Sequence, residues 1–304
     1  MAMPDTTLLV HACLRDGGGG SPTAVVPDDE RLSDEDRRRV PAEHGTSHAV
    51  FLHVDRTRDR EGSSDPCVDG QPVVRLRFFT REGELPACGH GTVAALAVLA
   101  SRAGAEAPYR ARLRTSTRVF DGWAERNGAH LSAGFDPGPV GLRPATAAER
   151  GLVLAPLGSA AQDAGPEVWV AGVGRDRLLV PVPGRAALAA MDPDLEGLRE
   201  ACDRLGLLGA YVYSPPSATG RLAARMFAPS IGVPEDIANA NSTACLAAVL
   251  ARQGITRIAV DMGDAVGSPA TVTAASSRLG TSGLRISVGG TATTVGLPPH
   301  AARS

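Results

Sequence analysis

Residues 84–100 read ELPACGHGTVAALAVLA, which places a thiol, Cys88, and an imidazole, His90, among glycines just before a run of small apolar residues. A helix that starts here leaves its first backbone N–H groups without intrahelical acceptors. Gly89 and Gly91 let a substrate come close to that backbone, where N–H groups can hold a carboxylate and stabilise an enolate. Cys88 and His90 then stand where a proton can be taken or given. A second imidazole, His48, follows Ser47 in TSHAVFLHV, and its ordinary pKa near neutrality suits general acid–base work. Asp236, in RMFAPSIGVPEDIANANSTACLAAVL, offers a carboxylate that binds or orients substrate, or serves only as a turn or N-cap residue. Asn239, Ala240, Asn241 and Ser242 follow it at the mouth of a second apolar run, where Ala240 and Asn241 present backbone donors.

These residues need elements to position them. Alternating or β-branched segments such as HAVFLHV, PVVRLRFF, DRLLVPVP, AYVYSP, RIAVDM and LRISVGG read as strands, and helical patterns fall at 33–45, 91–104, 194–206 and 241–253. The balance is strand-rich α+β. Cys88–Ala103 set over Asn239–Gly254, an offset of 239 − 88 = 151, matches Thr92 with Thr243 and aligns Ala97, Val98, Leu99 and Ala100 with Ala248, Val249, Leu250 and Ala251. Each segment follows an Arg-x-Phe strand, Arg77–Phe79 and Arg225–Phe227. Two similar halves follow from this echo. A helix apolar all round is buried, so each half is expected to wrap strands about one central helix. The expected halves are residues 1–135 and 136–304, parted in SAGFDPGPVGLRPATAAER, with the last strand free to return to the first half.

Composition excludes other chemistry. The 304 residues carry 31 basic side chains, all arginine, so there is no Schiff-base or phosphate-loop lysine. A net charge of −2 without a basic stripe argues against nucleic acid or an anionic membrane as partner. Five cysteines without paired spacing suggest neither a disulfide framework nor a zinc knuckle. The N-terminal residues do not read as a signal peptide and no apolar run approaches a membrane span, so the cytoplasm is the expected compartment. His44 and His48 are four apart and would share a helical face for a metal, but no third ligand has suitable spacing, so no metal is expected. DGGGGSP fails the dinucleotide-loop spacing, and residues 55–71 read as a solvated hairpin loop or a cover for a cleft.

The order ELPACGHGT, then RMFAPSIGVPEDIANANSTACLAAVL, then SVGGTATTVG resembles the PhzF family of isomerases, within the diaminopimelate epimerase and proline racemase fold superfamily. GSPTAVV resembles that family's GNPAAVV, and TSHAVFLHV its SETVF segment. The resemblance implies two pseudo-symmetric domains, each a mixed sheet or barrel around a central helix, with a cofactor-free site in the cleft between them. It places His90 at the family's GHP histidine and Asp236 at the aspartate of EDPATG, while His48 replaces the catalytic glutamate. Ala240 and Asn241 stand where a glycine and a serine are expected. The CGHG quartet is nearer to proline racemases, yet their second, mirrored thiol is here Asn239. The implied activity is a proton shift in a small unsaturated carboxylic acid of secondary metabolism. A 4-alkylproline precursor for antibiotic biosynthesis is the specific expectation, because members of this family act in such pathways. A proline-type racemase, epimerase or hydroxyproline dehydratase using Cys88, and a non-catalytic binding protein, are the alternatives. A homodimer is an open expectation.

Overall fold

The computed structural model describes residues 7–55, 71–104, 107–162, 164, 167–279 and 283–295. The expected hairpin or cover at 55–71 lies almost wholly outside these residues. The chain divides into two compact units: residues 1–17, 21–136 and 290–304 form the first, and residues 18–20 and 137–289 the second.

The first unit is a closed barrel around one helix. Strand β1 (Leu8–Ala12) pairs antiparallel with β2 (Ser21–Pro27), and helix α1 (Asp34–Glu43) then carries the chain to β3 (His48–Asp55), parallel to β2. β4 (Val73–Phe79) runs antiparallel to β3 and leads through the short β5 (Glu84–Leu85) into helix α2 (Gly89–Ala103). β6 (Tyr109–Arg114) returns parallel to β4, followed by the antiparallel β7 (Val119–Asn127) and β8 (His130–Phe135). Strand β17 (Gly283–Val295) pairs with both β8 and β1, which closes a ring of eight strands. The apolar run beginning at Gly89 fills it: every residue from Gly89 to Ala100 is buried. Small side chains explain the fit, since an eight-stranded barrel has limited interior width and a helix with bulky side chains is about 10–12 Å across. Gly104, in the left-handed conformation at φ 60°, ends the helix.

The second unit repeats the order. β9 (Gly141–Pro144), β10 (Trp169–Val173), β11 (Arg175–Pro181), β12 (Ala210–Tyr213), β13 (Arg221–Ala228), β15 (Arg257–Met262), β16 (Ala270–Leu279) and the first half of β17 pair in that succession. Between β9 and β10 come helices α3 (Ala147–Leu157) and α4 (Ser159–Gln162), and between β11 and β12 come α5 (Arg185–Ala189) and α6 (Leu195–Leu205). After β13, β14 (Val233–Asp236) leads into helix α7 (Ala240–Ala251), which packs on β9, β10, β15 and β16. The parallel pairs β11–β12 and β13–β15 stand where the first unit has β2–β3 and β4–β6, and α7 follows β14 as α2 follows β5. The Arg-x-Phe echo falls on β4 and β13, and the helix echo on α2 and α7.

Among the features that escape the sequence pattern, two have plain local causes. Residues 109–135 form three strands because the arginines of YRARLR alternate with Ala111 and Leu113, while Gly128, with φ 60°, and Ala129 turn β7 into β8. The stretch read as an inter-half boundary contains the start of α3, whose Thr146 and Glu149 form a capping box. No helix among the described residues is long and apolar enough to cross a membrane.

Candidate active site

Helix α2 begins at Gly89, two residues earlier than the hydrophobic pattern indicates, so Cys88 is its N-cap and Gly89, His90 and Gly91 form its first turn. The Cys88 side chain makes no capping hydrogen bond; instead Thr92 N–H and Thr92 Oγ1 both donate to the Cys88 carbonyl, at 3.0 and 2.8 Å. The N–H groups of Gly89, His90 and Gly91 thus lie ahead of the first intrahelical bond, at the positive end of the helix dipole.

His48 is brought to this turn from a different element. It opens β3, opposite Thr23 of the parallel β2, and its carbonyl accepts from Thr46 Oγ1 at 2.9 Å. Its ring meets that of His90 edge to face, centroids 4.5 Å apart, and Cys88 Sγ lies 3.4 Å from His90 Nε2. One side-chain donor atom from each of His48, Cys88 and His90 falls within 4.8 Å of the other two, and all three residues are buried. Ser47 Oγ sits 2.8 Å from His48 Nδ1, so the nitrogen of His48 left for chemistry is Nε2. Burial is the main cause that holds the His48 pKa well below its ordinary 6.5, and the charge that His90 can carry adds to it. His48 is therefore a neutral imidazole at neutral pH.

A stability consequence follows. Below about pH 6.5 the unfolded chain binds a proton at His48 that the folded chain refuses, so stability falls as pH drops through that value, by at most about 1.4 kcal/mol per pH unit for this group. Above it His48 contributes no pH dependence. Urea midpoints at about pH 7.5 and about pH 5.5 test this, and the acid-side drop should shrink in His48→Gln. A drop of unchanged size in that variant assigns the effect elsewhere.

Gly91 is needed for space. A Cβ there would lie 3.0 Å from Cys88 Sγ and 3.1 Å from Phe78 Cδ1. Gly91→Ala should displace the thiol and lower turnover by about tenfold or more while circular dichroism stays that of the parent.

The mirrored cap in the second unit is built differently. Asn239 is the N-cap of α7, its Oδ1 accepting from Ser242 N–H at 2.8 Å and its Nδ2 donating to Asp236 Oδ2 at 2.9 Å. Asp236 Oδ1 also accepts from Ala238 N–H at 3.4 Å. Thr243 Oγ1 donates to the Asn239 carbonyl at 3.0 Å, as Thr92 does to Cys88. Asp236 thus fixes the capping amide, and both ends of that amide are engaged. Ser242 is fully buried, with its N–H given to Asn239 and its Oγ to Met226 Sδ at 3.5 Å. Asn241 is half-buried, and its Oδ1 is shielded from solvent with no hydrogen-bond partner among the described residues. Ala240 is buried in the first turn. Cys245 lies deeper, its Sγ accepting from Arg177 Nη1 at 3.2 Å, and burial raises its pKa. It is a core residue.

The metal pair weighed from sequence does not form on a helix: His44 is the exposed C-cap of α1 and His48 is on β3. The imidazoles that do meet are His48 and His90, with Cys88 as the third donor. No spacing rule finds this set, because β3 and α2 meet only when the barrel forms.

The chain matches the PhzC-PhzF family, described as phenazine biosynthesis-like protein, over residues 10–296. It is 28% identical over 243 residues to the uncharacterized isomerase YddE of Escherichia coli (strain K12), which covers 78% of this chain and 75% of that one. It is 29% identical over 239 residues to trans-2,3-dihydro-3-hydroxyanthranilate isomerase of Pseudomonas chlororaphis, covering 77% and 76%. In three dimensions it is similar to a PhzF-family phenazine biosynthesis protein of Bacillus anthracis, with a TM-score of 0.75 over 95% of this chain and 96% of that one; at 18% identity this speaks for the fold alone. A match over almost the whole sequence, with a helix-filled strand architecture of the diaminopimelate epimerase and proline racemase-like kind, makes the chain a member of the PhzC-PhzF family of isomerases.

Proposed function

We propose that this chain shifts a proton within a small unsaturated carboxylic acid, with His48 as the acid–base group and no organic cofactor. The observation that carries the reading is the buried His48–Cys88–His90 cluster at a helix N-terminus whose cap residue makes no capping hydrogen bond through its side chain. The N–H groups of Gly89, His90 and Gly91 hold the substrate carboxylate or the oxygen on which charge develops. A carboxylate arriving beside a neutral, buried imidazole favours its protonated form, so the substrate's own charge strengthens His48 as a base. Nε2 takes a proton from an activated carbon, the pair of electrons delocalises through the conjugated system, and Nε2, after its proton has exchanged with solvent, delivers one to the vinylogous carbon. The P. chlororaphis relative is named for the isomerisation of a dihydroaromatic carboxylic acid, which suits this chemistry. A cyclic precursor of a 4-alkylproline is the substrate class we favour in an antibiotic pathway.

Proton NMR of the purified chain in deuterium oxide tests this on a panel of pyrroline, cyclohexadiene and proline carboxylic acids. Deuterium at a remote carbon with a moved double bond is the expected result; its absence across the panel, alongside ligand binding, would leave a binding protein. The Cys88 Sγ to His90 Nε2 distance of 3.4 Å supports a second reading, in which the thiol works at the α-carbon as in an epimerase. Exchange confined to that carbon would establish it.

A further inference from the structure

We propose that His48, Cys88 and His90 form a binding site for a borderline-soft cation, Zn²⁺, with three protein ligands and one open position. Imidazole nitrogen and thiolate sulfur are the donors this ion prefers, and three protein ligands plus a free position is the pattern of sites that accept a water or a substrate group. A tetrahedral ion with Zn–N of about 2.1 Å and Zn–S of about 2.3 Å needs donors roughly 3.4–3.6 Å apart. Cys88 Sγ and His90 Nε2 are already 3.4 Å apart, and all three donor atoms lie within 4.8 Å, so side-chain rotation of about an ångström completes the set.

A second observation points the same way. Metal-binding histidines are oriented by a hydrogen bond at the other ring nitrogen, and Ser47 Oγ occupies that place at Nδ1 of His48, at 2.8 Å. Burial of all three residues limits competition from water, while Cys88 and His90 are fixed on the first turn of α2 rather than on a free loop. Zinc binding consumes the Nε2 lone pair of His48 and displaces the proton of the Cys88 thiol to solvent. The loaded chain is therefore silent in the proton shift, which makes the cation an inhibitor that competes for the catalytic base. That last step rests on the isomerase reading; the binding itself does not.

The full chain, stripped with a chelator, would be dialysed against limiting Zn²⁺ or Co²⁺, and bound metal measured by plasma mass spectrometry. One equivalent per chain is expected, with Co²⁺ giving the sulfur-to-metal charge-transfer band and the intense visible bands of a four-coordinate site. Cys88→Ser and His48→Gln should each lose the charge-transfer band or weaken binding at least tenfold, whereas Cys202→Ser should retain both. In the unaltered chain, Zn²⁺ should protect Cys88 from alkylation, read by peptide mass, so the test does not depend on any variant folding. No stoichiometric metal, or binding and protection indifferent to these substitutions, would overturn the site. Exchange by the metal-free chain is measured separately. Its absence counts against the isomerase reading alone, and its persistence at one bound equivalent overturns the inhibition.

Discussion

His48→Ala should reduce turnover by about 10²–10⁴-fold, the range by which a positioned general acid–base group accelerates a reaction. The deuterium content of recovered substrate should fall in parallel, since the same group removes a proton and delivers one. The fold should survive: His48 sits at the first residue of β3, and its loss removes a buried ring without disturbing the parallel register from Thr23 onward. Ser47→Ala probes the same chemistry more gently. It removes the partner of Nδ1, so the ring loses its orientation while remaining a base, and a smaller loss of turnover than in His48→Ala is expected. Unchanged exchange in His48→Ala would transfer the role to Cys88 and His90, which lie 3.4 Å apart in the unaltered chain.

The second large effect is on stability. Leu96 is fully buried at the centre of α2, inside the closed ring of the first unit, and Leu96→Ala should cost about 2–5 kcal/mol in urea unfolding. Its neighbour across the interior is Gly122 of β7: a Cβ there would come within 2.7 Å of Leu113 Cδ1 and 3.0 Å of Leu96 Cδ2. Gly122→Ala is therefore also destabilising, through overpacking. Combined, the two changes should cost less than the sum of the singles, because truncating Leu96 vacates part of the space the new methyl requires. Strict additivity would show that Leu113, rather than Leu96, sets the limit at Gly122.

Much of this architecture is legible in the sequence because it is repeated. Two all-apolar helices at corresponding places, each preceded by Arg-x-Phe, indicate two halves built around central helices, and α2 and α7 occupy those places. The placing of Cys88 and His90 at a helix start is equally legible, from the glycines and the apolar run that follows them. Their meeting with His48 is not, because it depends on barrel closure bringing β3 to the first turn of α2 across 40 positions of sequence. The second cap shows the opposite limit. Asp236, Asn239 and Ser242 have the residue types of a substrate site, but where α7 starts decides that Asn239 Oδ1 faces Ser242 N–H and Nδ2 faces Asp236. That is a matter of one residue in the helix boundary, which pattern alone does not resolve. Helix α3 is missed for a simpler reason: three prolines (Pro137, Pro139, Pro144) and four glycines (Gly134, Gly138, Gly141, Gly158) precede or end it, and they outweigh the Thr146–Glu149 box.

Strand β17 gives the chain an order of assembly. Its first half pairs with β16, and its last residues, Ala292–Val295, complete the ring of the first unit against β1. During synthesis, β1 and β8 both emerge long before their partner, so the N-terminal ring waits with two unpaired edges while all of residues 137–289 are made. Open edges invite pairing with other chains. A nascent chain stalled near residue 136 should consequently be a substrate for chaperones, and the ring that carries His48 can close only after the ribosome has delivered residue 295.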